Sequence, residues 1–393
     1  MSPDHASPSS QALRAGVASR FDAYLSDLER LVNIDCGSYT ADGVNRVADE
    51  IAAALAGLGA GVERLRPGTT TERALGDLLI GRLAGAGPRV LLIGHMDTVF
   101  DPGTVAVRPF RRHGDRATGP GTSDMKGGLL AGIHALAALQ AAGVRPAVTF
   151  VANPDEEIGS PFSTAHIRRL AAEHDAVLVL ESARANGDIV SARKGIADLE
   201  LTFHGRAAHA GVEPEKGRSA ILAAARAVEA LHALSGRWPS VTLNTGVIAG
   251  GTRPNVVAAA CRLEVDLRAA TTSSFDTARA AVEEIASSPR VPGVTGELRT
   301  TASFPPMERS PAAERLVALA QEIAGELGFD LQDAATGGAS DANTAAALGR
   351  PTLDGLGPIG GDDHSDDEWL DLASVVPRTT LLAALITRIG EGL

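Results

Sequence analysis

An α/β domain interrupted by a ferredoxin-like insertion is the fold class this sequence predicts, and three observations predict it. Helical periodicity alternates with short β-rich apolar runs from about residue 10 to 200, the pattern of a sheet flanked by helices. Helix-then-strand patterning returns after about residue 305. Between them, residues 195–302 follow the order βαββαβ, the split βαβ unit. At 393 residues the chain exceeds the roughly 100–200 of one typical domain. The expected division is one discontinuous domain, 1–194 plus 303–393, with 195–302 inserted into it.

In the first part, periodicity predicts helices near 11–33 and 44–58, strands near 77–83 and 89–93, a helix near 125–141 and a strand near 147–152. A helix near 163–173 then leads into a buried-looking strand over 176–180. The insert reads as strand 195–203, helix 218–234, strands 241–248 and 256–267, helix 274–286 and strand 296–301. The polar, proline-bearing first ten residues read as a frayed tail.

Composition excludes several classes. Lys and Arg number 36 against 48 Asp and Glu, a net charge of −12, so no general basic field attracts nucleic acid or anionic lipid. No run reaches the roughly 18 uninterrupted apolar residues of a membrane helix, and MSPDHASPSS lacks the basic and apolar segments of a signal peptide. Cys36 and Cys261 stand far apart in no CxxC pattern, which suits a reducing compartment. The expectation is a cytoplasmic chain with neither nucleic-acid nor membrane partners. Aromatic residues are only 3% of the chain, so its cores are to be built from Ala, Val, Leu and Ile.

Five segments carry chemistry. RVLLIGHMDTV ends a buried strand with His95 and Asp97, two apart and hence on one face. An acid beside a histidine is the pairing that orients a metal-bound imidazole. GPGTSDMKGG puts Asp124 after a glycine-rich turn and before a helix, where an ordinary N-cap also fits; the pattern is not a phosphate loop. NPDEEIGS ends a strand with Asp155, Glu156 and Glu157, costly together unless a cation neutralises them. AVLVLES ends a strand in Glu181, and GGDDHSDDEW holds His364 in a loop among acids.

Taken singly, each segment has a bland structural explanation; jointly they do not, because ligands in α/β sheets gather beyond the carboxyl ends of strands. Two histidines and several carboxylates without cysteine suit zinc, manganese or cobalt in a hydrolytic pair. If Asp124 bridges, one metal takes His95, Glu181 and Asp124, and the other His364, Glu157 and Asp124. Two divalent cations then balance Asp124, Glu157, Glu181 and one hydroxide, and Glu156 is left free to take a proton.

These segments resemble the dinuclear zinc hydrolase family of glutamate carboxypeptidase, succinyl-diaminopimelate desuccinylase and aminoacylase, in order and near-spacing across nearly the whole chain. The resemblance implies a zinc-exopeptidase-type catalytic domain with a mixed sheet, a lid and dimerisation domain in the insert, and two zinc ions per chain, with cobalt or manganese as substitutes. It implies the same ligand set, Asp97 orienting His95, Glu156 as general base and a cis peptide after Asp124. In GRAAHAG it implies that His209 reaches the partner's site in a homodimer and helps hold the oxyanion. In GTRPNVV and LEVDLR it implies that Asn255 and Arg268 grip the substrate's carbonyl and carboxylate; TGGASDA, with Gly338 and Ser340, is the substrate-side loop.

Glutamate-preferring members carry an arginine ahead of a proline at the second domain junction; TASFPPM has Phe304 at or near that place. The expected reaction is hydrolysis of the amide joining an acyl or peptidyl group to an amino acid with a free carboxylate. The alternatives are an N-deacylase, desuccinylase or ureido amidohydrolase, and a catalytically silent relative that binds metal. A serine hydrolase is disfavoured: no G-x-S-x-G is present and Ser340 has no evident base.

Overall fold

The computed structural model describes residues 8–68 and 73–392. Residues 1–7 of the expected frayed tail lie outside that range, whereas Ser9 already caps the first helix by accepting the Ala12 N–H. The chain divides into two compact units, 1–191 with 309–335 and 340–393, and 192–308 with 336–339.

In chain order the first unit begins with α1 (Ser10–Ala18), α2 (Phe21–Val32) and α3 (Ala41–Gly57). One helix was expected over 11–33; a turn at Ser19–Arg20 splits it, and both halves keep their apolar faces, Leu13 and Val17 then Tyr24, Leu28 and Leu31, inside. There follow β1 (Gly61–Leu65), β2 (Leu78–Leu83), β3 (Ala86–His95), α4 (Gly127–Ala141), β4 (Pro146–Asn153), α5 (Thr164–Glu173) and β5 (Ala176–Val179). The second unit holds β6 (Gly195–His204), α6 (Ala220–His232), β7 (Thr242–Gly250), β8 (Ala260–Ala269), α7 (Thr272–Ser287) and β9 (Thr295–Phe304). The first unit resumes with α8 (Pro311–Leu327), α9 (Asp341–Ala346), β10 (Thr352–Leu353) and α10 (Leu372–Gly390).

The main sheet of the first unit has the order β1-β2-β4-β3-β5-β10, parallel from β4 to β10 and antiparallel at β1 and β2. Its centre is an unbroken apolar run because both faces are covered: Val90 to Ile93 of β3 are fully buried. α4 is apolar on every side, buried from Gly127 to Leu139, as a helix enclosed all round must be. Gly128 permits its close seat, since a Cβ there would stand 1.8 Å from the Leu180 carbonyl oxygen. α10 packs on α4 and is long and apolar enough to cross a membrane, but 78% of that stretch is buried inside the protein.

The parallel strands bring their carboxyl ends to one edge, with His95 of β3 in register with Asn153 of β4 and Glu181 two residues past β5. In the second unit an antiparallel sheet of order β7-β8-β6-β9 carries α6 and α7 on one face, where Leu199, Leu201, Phe203, Leu263, Val265 and Leu267 alternate inward to form its core.

Candidate metal centre

At the carboxyl edge of the main sheet, Asp124 stands between two histidines. Its Oδ1 lies 2.9 Å from His95 Nε2 and its Oδ2 lies 3.1 Å from His364 Nε2. Each histidine also meets one glutamate: His95 Nε2 is 3.6 Å from Glu181 Oε1, and His364 Nε2 is 3.2 Å from Glu157 Oε2. The chain supplies these groups from strand ends, from the loop before α4 and from the loop before α10, where His364 sits at φ 62°. A cis peptide joins Asp124 to Met125.

The tautomer of His95 follows from its surroundings. Nδ1 is 3.0 Å from the Asp97 carbonyl oxygen, which only accepts, so Nδ1 carries a proton and Nε2 is the nitrogen offered to the carboxylates. Burial opposes a charge on His95, yet Glu181 and Asp124 hold its pKa well above the usual value. Hydrogen bonds to Asp124 and Glu157 likewise push His364 up to about 11. Burial pushes Glu157 up to about 7, with the charge of Asp124 adding to it, and raises Glu156 well above its ordinary value. Asp124 is held far below the usual carboxylate range against burial, by its hydrogen bonds to His364 and His95.

The donor set fits a metal. His95, Asp124 and Glu157 each offer a ligand atom within 4.8 Å of the others. Glu157 Oε1 is buried with no hydrogen-bond partner among the described residues, an orphan acceptor that a cation would satisfy. Neutral imidazole and carboxylate donors without thiolate suit a hydrolytic divalent cation.

Asp97 does more than face His95. Its carboxylate is fully buried and accepts the Ser38 hydroxyl at 2.7 Å and the backbone N–H groups of Glu156 and Glu157 at 3.1 and 3.2 Å. Its approach to His95 Nδ1 is 3.4 Å, longer than the contact through its own carbonyl. Two further buried acids hold neighbouring loops. Asp341 accepts from the Ser160 hydroxyl at 2.7 Å and from the Asn153 amide, the two ends of the turn bearing Glu156 and Glu157. Asp155 accepts from Ser163 Oγ and from the Phe162 N–H, tying that turn to the residues that follow it. Neither of these two is marked in the sequence as a holder of loops, because there a buried acid looks like any exposed one; Asp155 stands out only beside two others at a strand end.

The remaining sequence candidates are His209, Asn255, Arg268 and Gly338 in the second unit and Ser340 in the first. His209 and Asn255 are exposed on adjacent segments of the second unit, joined by the Ala210 N–H donating to the Asn255 carbonyl at 3.0 Å. In that unit Arg268 is paired with Asp266 and donates to the Gly337 carbonyl at 2.9 Å, beside Gly338, whose carbonyl accepts from Arg193. Ser340 belongs to the first unit, is buried, caps α9 and donates to Asp354 at 2.6 Å.

The profile of Peptidase family M20/M25/M40 matches residues 91–388, a span that contains every group of this centre. The chain belongs to that family. Carboxypeptidase G2 of Pseudomonas sp. (strain RS-16) is 33% identical over 379 residues, covering 94% of this chain and 90% of that one. N-acetyl-L-citrulline deacetylase of Xanthomonas campestris pv. campestris is 32% identical over 315 residues, covering 73% and 78%. Among solved structures, a tripeptidase from Staphylococcus aureus superposes with a TM-score of 0.75 at 22% identity, covering 94% of this chain and 99% of that one. An M20 family metallo-carboxypeptidase from Sulfolobus solfataricus gives 0.73 at 16%, covering 93% and 98%. This M20 chain is therefore an enzyme, a metal-dependent hydrolase of amide bonds with the α/β fold of its family.

Proposed function

We propose that the protein is a dinuclear zinc hydrolase that cleaves the amide between an acyl or peptidyl group and a C-terminal amino acid with a free carboxylate. The observation that carries this reading is the division of Asp124, one oxygen toward His95 and the other toward His364. His95, Glu181 and Asp124 would hold one cation, and His364, Glu157 and Asp124 the other. When bound, such cations polarise a carbonyl and lower the pKa of water from 15.7 towards about 7.

The side chains do the rest. Glu156 takes the proton of the attacking water and delivers it to the leaving nitrogen, a task suited to a carboxylate whose proton affinity is raised by burial. Asp97 fixes the backbone from which Glu156 projects. His209 assists the oxyanion, Asn255 the carbonyl, and Arg268 the substrate carboxylate through its planar fork, with Gly338 and Ser340 framing the substrate loop.

We also read the chain as a cytoplasmic homodimer joined through the second unit. Two free, buried cysteines support the compartment. The edge strand β7, with Val247 and Ile248 exposed, supports the dimer. Light scattering of Ile248→Asp beside the wild type tests it: a monomer is expected, and an unchanged mass counts against this edge.

A second reading, N-deacylation of an acylated amino acid, is favoured by the likeness to N-acetyl-L-citrulline deacetylase, while Phe304, at or near the place of the arginine in glutamate-preferring members, disfavours glutamate as the leaving residue. Elemental analysis with a panel of N-acyl amino acids and dipeptides, varied at both ends, tests both. Two zinc ions with turnover that depends on the free carboxylate is the expected result. A fully metallated protein that cleaves nothing in the panel would return the chain to a silent metal-binding role.

A further inference from the structure

The loop of Asp124 is held from the far end of the chain. Glu368 is fully buried, and its Oε1 accepts the backbone N–H groups of Ser123 at 2.8 Å and Asp124 at 3.1 Å while its Oε2 accepts that of Gly121 at 2.9 Å. Buried N–H groups in a loop ahead of a helix lie outside its ladder and need an acceptor of their own. Here the acceptor comes from 244 residues on. No cationic side chain pairs with Glu368 among the described residues, so a whole carboxylate is buried for three backbone hydrogens.

Its position along the chain gives the reason. Glu368 lies four residues past His364, and that short segment is folded into turns by Ser365 N–H to Asp362 O at 3.2 Å and by Asp367 N–H to Ser365 Oγ at 3.2 Å. Beyond it, Trp369–Asp371 pairs with Arg116–Thr118, which leads into the glycine turn before Asp124. Little slack separates the Glu368 carboxylate from the imidazole that faces Asp124 Oδ2.

We propose that Glu368 is a positioning residue of the metal centre, a carboxylate that fastens the Asp124 loop to the His364 loop so that both ligands are aimed at one cation before it binds. The inference rests on the dinuclear reading above and adds a residue to it. Groups that orient ligands in this way are worth about 10- to 100-fold in metal affinity.

The test is a calorimetric zinc titration of the full chain, wild type beside Glu368→Gln and Glu368→Ala, with melting of each metal-free protein. In Glu368→Gln an amide NH2 faces one backbone N–H, donor against donor. Its zinc dissociation constant should rise about 10- to 100-fold, and that of Glu368→Ala at least as far. A residue that only stabilised the fold would lower the melting temperature and leave the zinc constant of the folded protein unmoved; that result overturns the proposal. Should neither variant fold, amide exchange in the wild type decides. Gly121, Ser123 and Asp124 amides protected without zinc support a preset loop, and free exchange until zinc is added contradicts it. A wild type that binds no zinc overturns the dinuclear reading and this inference with it, whereas unchanged variants beside a zinc-binding wild type overturn this inference alone.

Discussion

The Asp97 carboxylate accepts the backbone N–H of Glu156 at 3.1 Å, so the acid that neighbours one proposed metal ligand also sets the main chain of the proposed general base. The same carboxylate holds the N–H of Glu157, a ligand of the second proposed cation. The main chain of both glutamates is thus fixed by one buried side chain, while the Asp97 carbonyl oxygen fixes the proton on His95 Nδ1. Asp97→Asn should keep the volume and turn a donor against one of those N–H groups. A fall of about 10- to 100-fold in kcat with two zinc ions still bound is expected. Steady-state kinetics beside metal analysis checks it, and wild-type turnover in the mutant would remove this role.

Glu156 itself touches neither histidine in the ligand geometry and is free for proton transfer. Glu156→Gln should retain zinc and lose about 10²- to 10⁴-fold in kcat, the range of a general base. An active, fully metallated mutant would assign the proton transfer to another group.

The metal-free protein should lose stability as pH rises from about 4 to 7. Burial pushes Asp155 and Glu368 up to about 7 and Asp341 up to about 6. Unfolded carboxyls titrate near 4. Within that window the folded chain keeps protons that the unfolded chain has released, so stability declines with rising pH. Melting in chelator should therefore occur at a higher temperature at pH 5 than at pH 7.5; the opposite order would show that these acids ionise freely in the fold.

Zinc should restore what the high pH removes. A ligand present at about 1,000 times its dissociation constant adds about 4 kcal/mol to the folded state. The melting temperature at pH 7.5 should rise on adding zinc to chelated protein, and calorimetric scans showing no rise would argue against a cation among these carboxylates.

Gly128→Ala tests the seat of α4. Its Cβ would meet the Leu180 carbonyl oxygen at 1.8 Å, one residue before Glu181, so helix and strand must part. A loss of about 1–3 kcal/mol, as for an overpacked core, is expected in denaturant unfolding.

Most of the candidate cluster stands at boundaries that the sequence marks: His95 ends a strand, Glu181 lies two residues past one and Asp124 precedes a helix, whereas His364 sits in a loop and is marked only by the acids around it. Main-sheet strands such as Val90–Ile93 were legible as apolar runs for the same reason that they are buried on both faces. The break at Ser19–Arg20 carries no glycine or proline that would mark it in the sequence. β1 escaped notice because an exposed edge strand needs little apolar pattern. Asp341 and Glu368 escaped because burial of an acid is a tertiary fact: each finds its partners more than 180 residues away.

The central claim is that Asp124 is shared between two cations, and zinc stoichiometry across two variants tests it most directly. The wild type should bind two zinc ions per chain, His364→Ala should keep the one held by His95, Asp124 and Glu181, and Asp124→Ala should hold neither tightly. Two tightly bound ions in Asp124→Ala, or a single ion in the wild type, would contradict the bridging arrangement.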